Sequence, residues 1–188
     1  MRPPPHLALS LAVAWLLGCT QGAVIGGAYY APEYDWSEFF AVTDGRNFQV
    51  IVSGNPFPSL TEPEMKRRLL PVMQASKPRP NLTFTYDAPP DTPHPYYRMV
   101  LIFNAANDLN ASSVCAGQIR HKPEPTQPFD LYAIYCRDDL VLSYTTAWTA
   151  ASSPEDPRVG ALFAQLFLVL FPDAPLFRRR PLTPFMRW

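Results

Sequence analysis

The chain has no excess of charge of either sign. Its 16 lysines and arginines balance 16 aspartates and glutamates. No global field therefore steers it toward nucleic acid or an acidic substrate. Histidine is scarce, with His6, His94 and His121 alone. Neither HExxH nor any paired-histidine spacing occurs, so no metal site is expected, and joining His94 or His121 to Asp91 or Glu124 has no motif behind it. The sequence also lacks G-x-S-x-G, a P-loop and a dinucleotide-binding glycine pattern, so no cofactor is implied. Cysteine is limited to Cys19, Cys115 and Cys136. None lies in C-x-x-C, which leaves a thioredoxin-like role without support. Glycine is low at 8 residues while proline is high at 23. That balance favours stiff, extended connections over flexible linkers. Beyond Leu17 no apolar stretch is long and unbroken enough for a transmembrane helix.

What the chain does have begins at its N-terminus. Arg2 and the terminal amine supply positive charge, although Pro3, Pro4 and Pro5 make this region unusual. The apolar run from Leu7 to Leu17 follows and closes with Leu16-Leu17-Gly18-Cys19. Such a run is too short to span a bilayer comfortably and reads as a secretion signal. The closing tetrad resembles the lipobox of bacterial lipoproteins. The resemblance implies cleavage before Cys19, a diacylglyceryl group on its thiol and acylation of the new amine. By the family's sorting rule, Thr20 implies delivery to the outer membrane, facing the periplasm. One acyl chain anchors marginally and two or more anchor firmly. The alternative is an ordinary secretory signal cut near Gly18 or Gly22, with Cys19 incidental and the product soluble.

In an exported chain the two remaining cysteines, Cys115 and Cys136, are expected to pair, two free buried thiols being the alternative. Two sequons, Asn81-Leu82-Thr83 and Asn110-Ala111-Ser112, would accept glycans in a eukaryotic secreted protein. Under the lipobox reading they are chance matches. The expected organisation is a signal over 1–18, a lipidated tether over 19–35, one domain over 36–172 and a tail over 173–188. Apolar residues make up 47% of the chain, enough for a globular core.

Within the domain, Phe39 to Val42, Asp44-Gly45 and Phe48 to Val52 read as a β-hairpin, because Asp-Gly between apolar runs suits a tight turn. Thr61-Glu62-Pro63-Glu64 is expected to cap a helix carrying Met65, Leu69, Val72 and Met73, which Pro71 would kink or shorten. A short strand fits Leu82 to Tyr86. The run from Tyr97 to Phe103 reads as a central strand buried on both faces. Val114 to Ile119 reads as a strand carrying Cys115. Phe129 to Cys136 and Leu140 to Thr149 form a second hairpin through Arg137-Asp138-Asp139, with Tyr132, Ile134 and Cys136 on one face. A turn role for Asp138 and Asp139 is preferred over a catalytic dyad. Ser153 and Pro154 are expected to open the last helix, whose apolar face is Val159, Leu162, Phe163, Leu166, Phe167 and Leu170. The order predicts an α+β fold, an antiparallel sheet of about five strands with two helices packed on one face.

Gly54-Asn55-Pro56-Phe57, Leu101-Ile102-Phe103-Asn104, Tyr135-Cys136-Arg137-Asp138 and Leu170-Phe171-Pro172 together resemble a set of uncharacterised proteobacterial envelope proteins. That resemblance implies no activity. A lipoprotein with two helices on a sheet is also similar in layout to the lipopolysaccharide-assembly lipoprotein that plugs an outer-membrane barrel, an analogy of fold alone.

Two surfaces stand out. The Gly54-Asn55-Pro56-Phe57 turn either ends a strand with Phe57 packed inward or presents a ligand-facing loop. Arg178, Arg179, Arg180 and Arg187, beside Phe177, Phe185 and Trp188, suit anionic lipid head groups or a partner, although a tail packed back on the domain with its arginines solvated is the preferred reading. The function expected is a lipid-anchored envelope protein with a binding or structural role and no catalysis. The alternatives are an assembly or chaperone-like lipoprotein that pairs with another envelope protein, and a hydrolase whose site no motif reveals.

Overall fold

The computed structural model describes residues 22–88, 95–124 and 129–173. It is an α+β domain with a single mixed sheet. Its elements are β1 (Val24–Ile25), β2 (Tyr29–Tyr30), α1 (Trp36–Thr43), β3 (Asn47–Ser53), α2 (Glu62–Ala75), β4 (Thr83–Thr85), β5 (Tyr97–Phe103), α3 (Ala111–Cys115), β6 (Phe129–Arg137), β7 (Leu140–Thr149) and α4 (Pro157–Leu170). The seven described strands run β1-β7-β6-β5-β3-β4, with β2 also on β7. β3 is parallel to both β4 and β5, while β6, β7, β1 and β2 pair antiparallel.

The sheet is thus larger than the five strands expected, and it is mixed rather than antiparallel. The reason lies at Asp44-Gly45. The expected first hairpin strand is α1 instead. Asp35 caps that helix by accepting from the Ser37 amide at 2.7 Å, and Phe39 and Thr43, one turn apart, share its buried side. Gly45, at φ 69°, supplies the left-handed residue just past the helix end. The signal that reads as a hairpin turn is a helix terminator. β3 then has no antiparallel partner before it. α2 instead returns the chain so that β4 lies parallel beside β3, since parallel neighbours need a crossover.

Three helices, rather than the two expected, cover one face of the sheet, because the segment read as the first hairpin strand is α1. Phe39 of α1, Met65, Leu69 and Met73 of α2, and the six apolar residues of α4 meet Phe48, Val50, Met99, Leu101, Phe129, Leu131 and Tyr135 in one core. α2 lies beside α4, where Ser76 donates to the Gly160 carbonyl at 3.1 Å. α2 continues through Pro71, and its capping residue Thr61 makes no side-chain cap bond. The expected side-chain cap from Thr61 is therefore absent. α4 starts one turn later than expected. Asp156 is its cap and Pro157 its opening residue. The Arg158 side chain beside Asp156 holds that carboxyl down to about 2.

An aromatic nest joins these elements. Tyr135 sits among Phe39, Phe48, Tyr34, Tyr97 and Phe171, and Phe39 stacks on Phe171 with ring centres 4.4 Å apart. The Tyr135 hydroxyl is buried with no hydrogen-bond partner among the described residues. Burial pushes it well above the ordinary tyrosine range. Nearby, Arg137 donates to both carboxylate oxygens of Glu38 at 3.2 and 3.1 Å, and Tyr97 donates to the same carboxylate. These bonds tie α1 to β5 and β6. The segment expected to be tether belongs to the domain from Val24 on. Besides its pairing with β7, Tyr30 donates to the Val169 carbonyl at 2.6 Å and Tyr34 to that of Pro172 at 3.0 Å.

The other face has its own cover. Val100, Ile102, Ile134, Cys136 and Val141 pack against Leu109, Ala111, Val114 and Cys115. Residues 111–115 are helix α3 and not the expected strand, because Asn110 caps them by accepting from the Ser113 amide at 2.8 Å. Cys115 and Cys136 form the expected disulfide, which links α3 to β6 across a sequence separation of 21. A five-residue helix does not persist unaided, so this link and the packing beneath it hold α3 in place. Replacing both cysteines by alanine should destabilise the domain by about 3 kcal/mol, given the loop closed, in urea melts of oxidised protein. Unchanged stability would show that packing alone fixes α3.

Candidate functional site

Side chains alternate along β3, so Gln49, Ile51 and Ser53 face the outer side while Phe48, Val50 and Val52 enter the core. Ser53 is the last residue of β3. Gly54 follows at φ 83° and turns the chain away. Asn55 fixes the turn by accepting from the Phe57 amide at 2.9 Å and donating to the Leu60 carbonyl at 2.7 Å. Phe57 is buried and meets Phe129, so this turn ends the strand with its aromatic packed inward.

A strap crosses the outer face from Asn104 to Lys122. Ala105 and His121 form an isolated antiparallel bridge. The Ala106 amide donates to the Arg120 carbonyl at 3.0 Å, and the Lys122 amide to that of Asn104 at 2.8 Å. Arg120 pairs with Asp108 at 2.9 Å, and Lys122 with Asp130 at 2.7 Å. The backbone on both sides of His121 is therefore held.

These two constructions meet at the imidazole. Nδ1 of His121 lies 2.9 Å from the Phe103 carbonyl oxygen, and Nε2 lies 3.0 Å from Oγ of Ser53. A carbonyl only accepts, so Nδ1 of the neutral ring carries the hydrogen. Nε2 then presents a lone pair to the serine hydroxyl. Gly54 makes the approach possible. A Cβ there would stand 2.8 Å from the Phe103 oxygen and 3.1 Å from Cε1 of His121. Asn104, next to Phe103, is buried at φ 54°, and its side-chain oxygen has no partner among the described residues.

A second feature lies at the β7 edge of the sheet. Tyr29 and Tyr144 are cross-strand partners, and their rings stack with centres 5.0 Å apart. With Glu33, Asp139, Asn110 and Leu140 they line a cleft of about 320 Å³. Neither Glu33 nor Asp139 forms an ion pair among the described residues.

The sequence-predicted positions fall as follows. Cys19, His94, Asp91, Arg178, Arg179, Arg180, Arg187 and Trp188 lie outside the described residues. Asp138 occupies the β6–β7 turn and accepts from the Tyr96 amide at 2.9 Å. His121 is exposed, and both of its ring nitrogens are engaged. Its partner Ser53 is 68 residues away, and no motif joins them. The turn at Gly54 was the one local sign. No group of three or more histidine, cysteine or acidic residues placed to hold a metal occurs among the described residues. No described helix is long and apolar enough to cross a membrane.

No family model matches the chain, and neither the curated proteins nor the solved structures contain a significant match.

Gly54→Ala should cost more than about 1 kcal/mol, because alanine is strained at this φ and its methyl collides with a carbonyl. The His121 ring resonances should shift in the same variant. Native stability with an unmoved ring would show that the contact is incidental.

Proposed function

We propose that this chain is a lipid-anchored protein of the bacterial cell envelope whose folded domain pairs with another envelope protein. The observation that carries the binding role is the cleft at the β7 edge. It joins two stacked tyrosine rings to two carboxylates without cationic partners among the described residues. Aromatic faces and carboxylates both attract cationic groups, so the chemistry suits a lysine- or arginine-bearing segment and opposes an anionic lipid at this face. Contact with anionic lipid belongs instead to the arginine tail. The anchor reading rests on the apolar leader ending at Cys19. The Cys115–Cys136 disulfide supports export, because such bonds persist in oxidising compartments.

Two measurements test this reading together. The mature N-terminus of membrane-derived protein should carry an acylated Cys19, and Cys19→Ala should release the domain from the membrane. A photo-crosslinking residue in place of Tyr29 should give one discrete protein adduct, which Glu33→Lys with Asp139→Lys abolishes. An unmodified, soluble N-terminus would replace the anchor with plain secretion. A crosslink that ignores both charge reversals would remove the cleft from the account.

A further inference from the structure

We propose that Ser53 is a nucleophile and His121 its general base, so that the outer face of the sheet carries a site for hydrolysing reactive carboxylic esters. The inference goes beyond the binding role and does not depend on it.

Geometry comes first. A serine hydroxyl attacks only when a base takes its proton in the transition state, and that base must lie within hydrogen-bond reach. Nε2 of His121 is 3.0 Å from Oγ of Ser53. The base must also be held in one orientation with the correct nitrogen bare. Here the Phe103 carbonyl does this from 2.9 Å on Nδ1, in the place where many serine hydrolases use a carboxylate. The ring cannot turn over without losing both bonds, and its backbone is fixed by the bridge to Ala105. Gly54 lets ring and carbonyl approach together, which a side chain at that position would prevent.

Position and access agree with this role. Ser53 and Phe103 are the final residues of the parallel neighbours β3 and β5. In open α/β sheets ligands bind beyond the carboxyl ends of parallel strands, and Ser53 holds the corresponding place on the parallel part of this mixed sheet. Ser53 is half-buried and His121 exposed, so an ester can reach the hydroxyl.

The chemistry balances without a cofactor. Oγ of Ser53 bonds to the ester carbonyl carbon as its proton passes to Nε2. The tetrahedral adduct collapses, the carbon–alkoxide bond breaks and the leaving oxygen takes the proton from Nε2. Water then gives a proton to Nε2 and attacks the acyl-serine. That second adduct releases the acid, and Oγ regains its proton from Nε2. A carbonyl stabilises the transient imidazolium less than a carboxylate does. The substrates assigned are therefore carboxylic esters with good oxygen leaving groups, such as aryl esters.

The test uses the oxidised full chain with a fluorophosphonate probe and p-nitrophenyl acetate. One probe adduct should form, and peptide mapping should place it on Ser53. Ser53→Ala should abolish both the adduct and the ester turnover while the melting temperature stays unchanged. His121→Gln should slow labelling by at least about 100-fold. Should His121→Gln fail to fold, the mapped adduct and Ser53→Ala decide the matter. No adduct on Ser53 in the native chain, or equal turnover in Ser53→Ala, would overturn the proposal.

Discussion

β5 and β6 run through the middle of the sheet with apolar side chains on both faces. The face turned away from α1, α2 and α4 therefore needs a cover of its own. α3 provides it, and at five residues α3 is too short to persist alone. The disulfide from Cys115 to Cys136 and the burial of Val114 in one cluster with Val100 and Ile134 hold it down. Arg98 adds a bond from beneath, donating to the Cys115 carbonyl at 2.5 Å. Once α3 is fixed, the chain on either side of it must cross the sheet. That crossing pairs Ala105 with His121 and sets the imidazole against Ser53. One demand of burial thus determines the disulfide, the strap and the dyad.

The opposite face is governed by size instead of linkage. Phe39, Phe48, Tyr135 and Phe171 fill the space between α1, the sheet and the end of α4. Tyr30 and Tyr34 add bonds to carbonyls near that helix end. This clasp brings the N-terminal strands, β7 and α4 into one unit, and it positions Tyr29 and Glu33 along the edge cleft. The edge cleft and the aromatic core therefore share a single stretch of chain.

Much of this was legible in the residues. The run from Tyr97 to Phe103 is a central strand because nearly every position is apolar, and the hairpin of β6 and β7 follows from alternation around Asp138-Asp139. The six-residue apolar face of α4 is wholly buried. The misses have particular causes. Asp44-Gly45 suits a hairpin turn and a helix end equally well, and only the Asp35 cap with Phe39 and Thr43 at helical spacing separates them. That one ambiguity conceals α1 and the parallel pairing of β3 with β4 and β5. Ser153 and Asp156 are both good caps, and Pro157 tips the choice to the second. The dyad was illegible for a different reason. Ser53 and His121 meet only through tertiary structure, and neither belongs to a local pattern.

The two functional proposals rest on two small surfaces, one at the β7 edge and one at the carboxyl ends of β3 and β5. The second makes the sharper physical claim, because a single backbone carbonyl decides which imidazole nitrogen faces the serine. Nitrogen-15 chemical shifts of His121 in oxidised protein measure this directly. The account predicts one neutral tautomer, with hydrogen on Nδ1 and Nε2 bare. Hydrogen on Nε2, or rapid averaging between the two nitrogens, would contradict it.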